Sequence, residues 1–294
     1  MNIVNQPTKL APTALIVDVP NAAPDCNGLP STGTLDWLLG GKPLVRHLIE
    51  ELQQLGVKNC FILSHGCAAT ISTLIKDKLH WSNGMRIEVL DFDVDASAAL
   101  MLFSALARES GLLVLEPSSV NECCLEDFLT QANQDEAPLL SAVNQGRPLG
   151  ISYLKCESKM PLHSAKPLNI GVQSTTLNSE RAYVVSNFNL LKGRYRGRLP
   201  SLANMQGRQL WRHNRSYMSK KVRCDNITFI DRGTHVASGC DLDNVIAHET
   251  CVIEKNSSLK NVVLLPGTWV PKHTTVENAL MTQDAIYPLA NTCF

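Results

Sequence analysis

The sequence has no excess of charge of either sign. Its 294 residues carry 27 Lys and Arg against 27 Asp and Glu. No overall charge therefore draws the chain to nucleic acid or to an anionic membrane, and any site for an anion must be local. A wholly disordered chain is also excluded, because 44% of the residues are hydrophobic and only 18% are charged.

The sequence also lacks any run that approaches ~18 apolar residues, the length of a transmembrane helix. Its first residues show no basic stretch followed by an apolar run and a small-residue cleavage site. We therefore expect a cytoplasmic protein with no membrane association. Ten cysteines are present, but they form no CxxC pair and no Cys/His spacing of a zinc site. We expect reduced thiols and no metal centre.

Strand-like and helix-like segments alternate from Thr13 to about Leu129. Such alternation predicts a parallel sheet wrapped by helices. The clearest helix follows Pro43 and has a stop signal at Gly56, and Asp95 is placed to cap the helix of ASAALMLF. After Pro138 we predict short strands, including RAYVVSN, that extend the sheet as an antiparallel edge, and then a helix that ends near Lys221.

The hydrophobic pattern changes to a period of six after Cys224. Three six-residue sides would form an eighteen-residue triangular coil, and stacked coils would bury one apolar residue per side. Gly233, Gly239 and Gly267 stand at the expected corners. The predicted inward residues are Ile230, Val236, Leu242, Ile246, Val252, Leu264, Val270 and Val276. We predict two domains, residues 1–221 and 222–294.

The stretch GGKPLVRHLIEELQQLGVKNCFIL, Gly40 to Leu63, resembles the GKPLL segment of the sugar-1-phosphate nucleotidyltransferases. The likeness is strongest to the mannose-1-phosphate guanylyltransferase-like branch, which carries a left-handed β-helix tail. LWRHN, Leu210 to Asn214, is similar to the helix that joins the two domains in that branch. The resemblance implies an α/β fold: a Rossmann-like mixed-sheet nucleotidyltransferase domain followed by a short left-handed parallel β-helix.

The catalytic motifs of that family are not matched. Its first strand leads into a glycine-rich GGxGTRL loop and a PKP motif, whose backbone N–H groups and cations hold a nucleoside triphosphate. Here the first strand is followed by PNAAPDCNGLPSTGTLDWLL, with no Arg or Lys between Lys9 and Lys42, and the lysine of PKP falls on Thr34. The family's Mg²⁺ carboxylates fall on Ser118, with Glu116 nearby on the opposite face of the strand, and near Met205.

The remaining family motifs place the candidate ligand pocket. The base-recognition stretch LGTAGAL corresponds to DASAAL, the sugar-contacting NAG corresponds to Ser179, Glu180 and Arg181, and Gly150 stands at the glycine of YGV. We assign no catalytic residue. The candidate pocket residues are Asp18, Asn21, Asp95, Ser97, Ser118, Gly150, Glu180 and Arg181.

Positive charge is concentrated in KGRYRGR, Lys192 to Arg198, and continues to Arg223. Arg194, Arg196 and Arg198 are candidate phosphate-binding residues. The same cluster in residues 192–223 leaves two alternatives open: a site for RNA, which is disfavoured by the lack of interleaved aromatic residues, and a solvated surface.

These features lead to three hypotheses. The first is a sugar-nucleotidyltransferase family protein of nucleotide-sugar or surface-polysaccharide synthesis with weak or absent pyrophosphorylase activity, which binds a nucleotide sugar and has a regulatory or scaffolding role. It would form homo-oligomers or hetero-oligomers with an active relative. The alternative is an active transferase that uses Mg²⁺ and relocated catalytic residues to join a sugar 1-phosphate to a nucleoside triphosphate. A remote alternative is RNA binding.

Overall fold

A computed structural model describes residues 12–18, 29, 33–76, 84–92, 94–117, 119–122, 124–156, 165–172, 174–196, 198–201, 203–206 and 209–290. The chain is of the mixed α/β class, with parallel and antiparallel strands and few helices. The predicted α/β class is confirmed. None of the described helices has both the length and the apolar character needed to cross a membrane.

The helices are α1 (Leu44–Gln54), α2 (Ala68–Lys76), α3 (Ala96–Phe103), α4 (Ala107–Ser110), α5 (Leu125–Gln134) and α6 (Glu180–Leu191), with a 3-10 turn at Ser104–Leu106. The strands are β1 (Thr13–Asp18), β2 (Leu38–Leu39), β3 (Lys42–Pro43), β4 (Asn59–Ser64), β5 (Arg86–Asp91), β6 (Leu112–Leu115), β7 (Ser119–Asn121), β8 (Leu139–Asn144), β9 (Arg147–Leu154), β10 (Lys166–Asn169), β11 (Ser174–Thr176), β12 (Ala203–Gln206), β13 (Leu210–His213), β14 (Tyr217–Met218), β15 (Arg223–Ile230), β16 (His235–Val236), β17 (Asp241–Ala247), β18 (Val252–Ile253), β19 (Ser258–Leu264), β20 (Trp269–Val270), β21 (Thr275–Met281) and β22 (Ile286–Pro288).

The described chain forms two compact units. The first unit contains residues 12–18, 33–36 and 45–174, and the second contains residues 37–44 and 175–290. The units are therefore not continuous in sequence, because residues 37–44 belong with the second unit. The predicted domain boundary between residues 221 and 222 stays a prediction.

The first unit is built on a sheet in the order β10-β8-β9-β6-β1-β4-β5. β1 pairs in parallel with β4 and β6, and β5 extends this parallel core beyond β4. β9 is antiparallel to both β6 and β8, as the antiparallel edge after Pro138 predicted. All six residues of β1 are buried, which is typical of a central parallel strand with both faces covered.

The helix after Pro43 is confirmed as α1, whose Leu44, Leu48 and Leu52 are buried. Gly56 follows with φ of 77°, a left-handed conformation that glycine adopts without a Cβ clash and that ends the helix. Asp95 is confirmed as the cap of α3, because its Oδ1 accepts a hydrogen bond from the Ala98 N–H at 2.7 Å.

The prediction of a strand for RAYVVSN is wrong, since this stretch belongs to helix α6. The Ser179 side chain accepts a hydrogen bond from the Ala182 N–H at 3.2 Å and caps the helix. Tyr183, Val184 and Phe188 are buried within the second unit. Burial and a good cap outweigh the strand preference of its aromatic and β-branched residues.

The prediction of a domain-joining helix in LWRHN is also wrong. Leu210–His213 forms β13, which pairs with β12 in the antiparallel sense and with β15 in the parallel sense. Strands on both sides satisfy its backbone hydrogen bonds, so the segment is the inner member of a sheet rather than an isolated helix.

The second unit contains stacked parallel coils. β15, β17, β19 and β21 form one ladder and β14, β16, β18 and β20 another. Equivalent residues of successive coils are 17 apart, as in the pairs Asn244–Asn261 and Asn261–Asn278. The earliest steps span 18, as in the pairs Tyr217–His235 and Arg223–Asp241, and the register shifts to 17 between Asp225 and Thr228. The predicted repeat of eighteen is therefore one residue too long for most of the stack.

That difference explains one wrong inward residue. Val252 is exposed, whereas its neighbour Ile253 is fully buried in the interior column with Val236 and Val270. Three steps of six residues give a repeat of 18, whereas the coils repeat every 17 residues. A position predicted from six-residue steps therefore falls one residue away from the inward residue, and its side chain points to the other face. Ile246 is also wrong as an inward residue, because it is buried but lies outside the interior cluster that contains its neighbours Val245 and Ala247. The other predicted inward residues belong to that cluster.

Each coil turns at three corners with positive φ. One corner falls at Gly233, Thr250 and Gly267, and a second falls at Gly239, Asn256 and His273. These positions confirm the three predicted corner glycines. The third corner falls at Asn244, Asn261 and Asn278, with φ between 51° and 54°.

The corners separate three sides of different character. The charged side contains residues 223–225, 241–243, 258–260 and 275–277, on which Arg223 pairs with Asp241. The buried side contains residues 228–230, 245–247, 262–264 and 279–281, all of which are buried. The aromatic side contains β14, β16, β18 and β20.

The asparagine corner is held by side-chain hydrogen bonds along the stack. Asn244 Nδ2 donates to Asn261 Oδ1 at 3.0 Å, and Asn261 Nδ2 donates to Asn278 Oδ1 at 2.8 Å. Asparagine tolerates the left-handed conformation better than most residues. This ladder therefore combines backbone fit with cross-coil bonding.

We expect Asn261→Ala to destabilise the protein by about 2 kcal/mol, because it breaks two ladder bonds and places a plain Cβ at a left-handed corner. Asn261→Gly should cost about 1 kcal/mol, because only the bonds are lost. Asn256→Gly is the matched control, since Asn256 is left-handed but its side chain makes no hydrogen bond to a described residue. Denaturant unfolding measures all three, and equal effects of the two glycine variants would contradict the ladder's role.

Candidate functional site

The carboxyl end of β1 holds the buried carboxylate of Asp18, which is only 4% exposed. Asp18 Oδ1 accepts hydrogen bonds from the Thr34 N–H at 3.3 Å and from Thr34 Oγ1 at 3.4 Å. Gly33 has a positive φ of 130° and lies so close that a Cβ there would overlap Asp18 Oδ2. Gly33 and Thr34 are therefore packed directly against the carboxyl group of Asp18.

Burial raises the pKa of Asp18 to about 7, and the charge of Asp36 adds to that effect. Hydrogen bonds from Thr34 and Leu35 oppose it without cancelling it. Asp18 is thus an uncompensated acid at the end of the central strand, the place where open α/β sheets usually bind their ligands.

A cavity of about 280 Å³ lies in the first unit. It is lined by residues of α3, β6, β8 and β9 and by their flanking positions. Two of the predicted pocket residues, Ser97 and Gly150, line it, and Asp95 directly precedes the lining residue Ala96. The full lining is Ala96, Ser97, Leu100, Met101, Val114, Glu116, Leu139, Ser141, Ala142, Pro148, Gly150, Ile151, Ser152 and Ala165.

The cavity's polar groups are hydroxyls and one carboxyl. Ser141 Oγ and Ser152 Oγ lie 2.8 Å apart, on residues paired across β8 and β9. The Glu116 N–H donates to the Gly150 carbonyl at 2.7 Å, which fixes the backbone on both strands. Burial raises the pKa of Glu116, and the charge of Asp95 raises it further. No Lys or Arg is among the lining residues.

Sequence reasoning missed three of these groups. It placed Glu116 on the opposite face from the site, whereas Glu116 lines the cavity. Ser141 and Ser152 carry no motif, and only their pairing across two strands brings them together. A signal was nevertheless present, because each serine has a hydrophobic residue on either side of it in its strand.

Of the other predicted pocket residues that the structure describes, Asp18, Glu180 and Arg181 are not among the cavity's lining residues. Glu180 and Arg181 occupy the first turn of α6 in the second unit. Asn21 and Ser118 lie outside the described residues. The predicted roles of these five residues stay predictions.

The candidate phosphate-binding residues follow α6 in the second unit. Arg194 and Arg196 are exposed, whereas Arg198 is buried. Partial burial lowers the pKa of Lys192, and the charge of Arg194 lowers it further. Cations therefore lie close together here, and their phosphate-binding role stays a prediction.

The described residues do not fit a magnesium centre. Mg²⁺ prefers carboxylate oxygens as ligands. Over the described part of the chain, no group of three or more His, Cys, Asp or Glu side chains could hold a metal ion. The buried thiols of Cys60 and Cys251 form no disulfide, and burial raises the pKa of each to about 12.

Comparison with known proteins does not add a family. No protein-family model matches the chain, and no curated protein matches it significantly. The chemistry of the site therefore has to be argued from its own geometry.

Asp18→Asn should stabilise the protein at pH 8 but have little effect at pH 4. Folded Asp18 has a pKa of about 7, whereas the ordinary pKa of an aspartate is 3.8. The wild type is therefore favoured at low pH and loses that stability as pH rises towards 7. The amide cannot ionise, and its advantage at pH 8 should reach about 2 kcal/mol after allowance for structural relaxation.

Denaturant unfolding between pH 4 and pH 8 measures this difference. Asp135→Asn is the control, because a hydrogen bond from Lys166 at 2.7 Å lowers the pKa of Asp135. Its pKa lies below this range, so Asp135 is largely ionised in both the folded and the unfolded chain and that variant should show almost no pH trend relative to the wild type. The same pH trend in both variants would show that Asp18 is not an uncompensated buried acid.

Proposed function

We propose that this chain is a non-catalytic protein of the sugar-nucleotidyltransferase type that binds a sugar-containing ligand in the cavity of its first unit. It would act as a regulatory or scaffolding subunit in nucleotide-sugar or surface-polysaccharide synthesis. In this proposal the first unit is a Rossmann-like nucleotidyltransferase domain and the coils are a short left-handed parallel β-helix. The observation that carries the proposal is the Asp18 carboxylate at the end of β1.

A transferase of this type must neutralise the charge of a nucleoside triphosphate with cations and backbone N–H groups. Here the Thr34 N–H and hydroxyl already donate to Asp18. Thr34 also stands where the family has its lysine. Loss of one preorganised charge-stabilising group commonly costs ~10²- to 10³-fold in rate, and here the group is replaced by an acid that ionises as pH rises through about 7. This arrangement supports binding without pyrophosphorylase turnover.

One observation favours the active alternative. Lys192 and Arg194 are close enough for their charges to interact, and neither forms an ion pair with a described residue. Cations of this kind are a source of positive charge for a phosphate, which the active alternative requires. The two hypotheses differ in whether Lys192 and Arg194 support turnover.

We expect no pyrophosphate release above background when the full chain is incubated with Mg²⁺, each nucleoside triphosphate and a panel of sugar 1-phosphates. The physical reason is the carboxylate where phosphate must bind. A coupled pyrophosphate assay measures it, and ligand-induced thermal stabilisation in the same samples detects binding. Mg²⁺-dependent release that is lost in a Lys192→Ala, Arg194→Ala variant and retained in Arg215→Ala would establish the active alternative.

The scaffolding part of the proposal is supported by the aromatic side of the coils. Tyr217, His235, Val252 and Trp269 are aligned on successive strands and are all exposed. The rings of Tyr217 and His235 stack at 4.6 Å. We call these four residues the aromatic column. A row of large exposed side chains on a flat ladder is typical of an interface, and we propose that it pairs with the same column of a second copy.

A Val252→Glu, Trp269→Glu variant should therefore dissociate the protein, because a carboxylate cannot be buried in an apolar contact without a partner. Light scattering after gel filtration should give at least a dimer for the wild type and a single chain for this variant. Thr275→Glu, exposed on the charged side, is the matched control and should keep the wild-type mass. A monomeric wild type at ~50 μM would contradict self-association through this column.

A further inference from the structure

We infer that the cavity of the first unit selects a sugar bearing a protonated amine over the corresponding neutral sugar, with Glu116 as the residue that recognises the amine. This inference rests on the proposed binding function and adds the class of ligand. It also excludes an anionic sugar as the preferred ligand of this cavity.

Glu116 is fixed in position but not neutralised. It directly follows β6 and its N–H is bonded to the Gly150 carbonyl, so its backbone is held at the cavity wall. Its side chain is half-buried and makes no hydrogen bond or ion pair with any residue that the structure describes. A half-buried carboxylate without a partner is costly, and a ligand that supplies a positive charge removes that cost.

The charge of Asp95 repels that of Glu116. Asp95 caps α3 by accepting a hydrogen bond from the Ala98 N–H. Burial raises the pKa of Glu116, and the charge of Asp95 raises it further. No Lys or Arg lines the cavity to offset these two carboxyl groups. The cavity therefore attracts a cation and repels a phosphate or a sugar acid.

The rest of the lining fits a sugar ring. Ser97, Ser141 and Ser152 supply hydroxyls that both donate and accept, as ring hydroxyls require. Leu100, Val114, Leu139 and Ile151 supply an apolar wall for the C–H face of a ring. A volume of about 280 Å³ is just below the range of ~300–1,000 Å³ for drug-sized ligands, so one ring fits better than a complete nucleotide sugar.

The test compares glucosamine with glucose and N-acetylglucosamine, which lack the charged amine, by titration calorimetry on the full chain at constant pH and ionic strength. Glucosamine should bind about tenfold more tightly than glucose. Cyclohexylamine, which has the amine but no ring hydroxyls, should bind more weakly than glucosamine. Equal affinity for glucosamine and glucose would overturn the inference, as would tighter binding of cyclohexylamine.

Glu116→Gln tests the named residue. It should bring the affinities for glucosamine and glucose within about twofold of each other while glucose still binds. Glu126→Gln, an exposed carboxylate in the first turn of α5, is the matched control and should keep the preference. Ser141→Ala should weaken both sugars without changing their ratio. A preference that survives Glu116→Gln overturns the assignment to Glu116.

These outcomes are separable from failure of the proposed function. Absence of binding by all the probes overturns the amine inference and the sugar-binding part of the proposal, but pyrophosphate release is the measurement that overturns the non-catalytic part. Circular dichroism and thermal unfolding of each variant show that it is folded, so a lost preference cannot be attributed to unfolding.

Discussion

The chemistry of the first unit depends on one constraint, the burial of the carboxyl end of β1. Parallel neighbours on both sides bury every residue of this strand, so a polar residue at its last position cannot reach bulk water. Asp18 occupies that position, and Gly33 and Thr34 must then approach closely to bond its carboxylate. Gly33 is required there because any Cβ would overlap the carboxylate oxygen. The segment that usually serves a ligand is therefore occupied by the protein's own acid.

Further acidic side chains lie at the same edge of the sheet as Asp18. Parallel strands direct their carboxyl ends to the same edge. Asp18 ends β1, Glu116 directly follows β6, and Asp91 ends β5 shortly before Asp95 begins α3. These acids are separate in sequence and share an edge only because the strands run in the same direction. An anion brought to this edge meets acidic side chains from several strands.

Local sequence signals predicted the elements whose shape is set locally. The stop at Gly56, the Asp95 cap and the glycine corners each depend on one residue's backbone preference, and all are observed. The failures are non-local. The helix α6 depends on a cap at Ser179 and on burial that outweighs strand preference, and β13 forms because it has strands on both sides. Ser141 and Ser152 meet only through pairing across β8 and β9, which periodicity along one strand does not reveal.

The motif that most resembles a transferase has a structural use in the second unit. The Gly40 N–H donates to Asn187 Oδ1 at 2.9 Å, and Asn187 Nδ2 donates to the Leu38 carbonyl at 3.1 Å. A Cβ at Gly41 would overlap the buried Asp231 carboxylate. The glycines of GGKPL are therefore required for packing the β2–β3 turn against α6 and the coils, whatever ligand the protein binds.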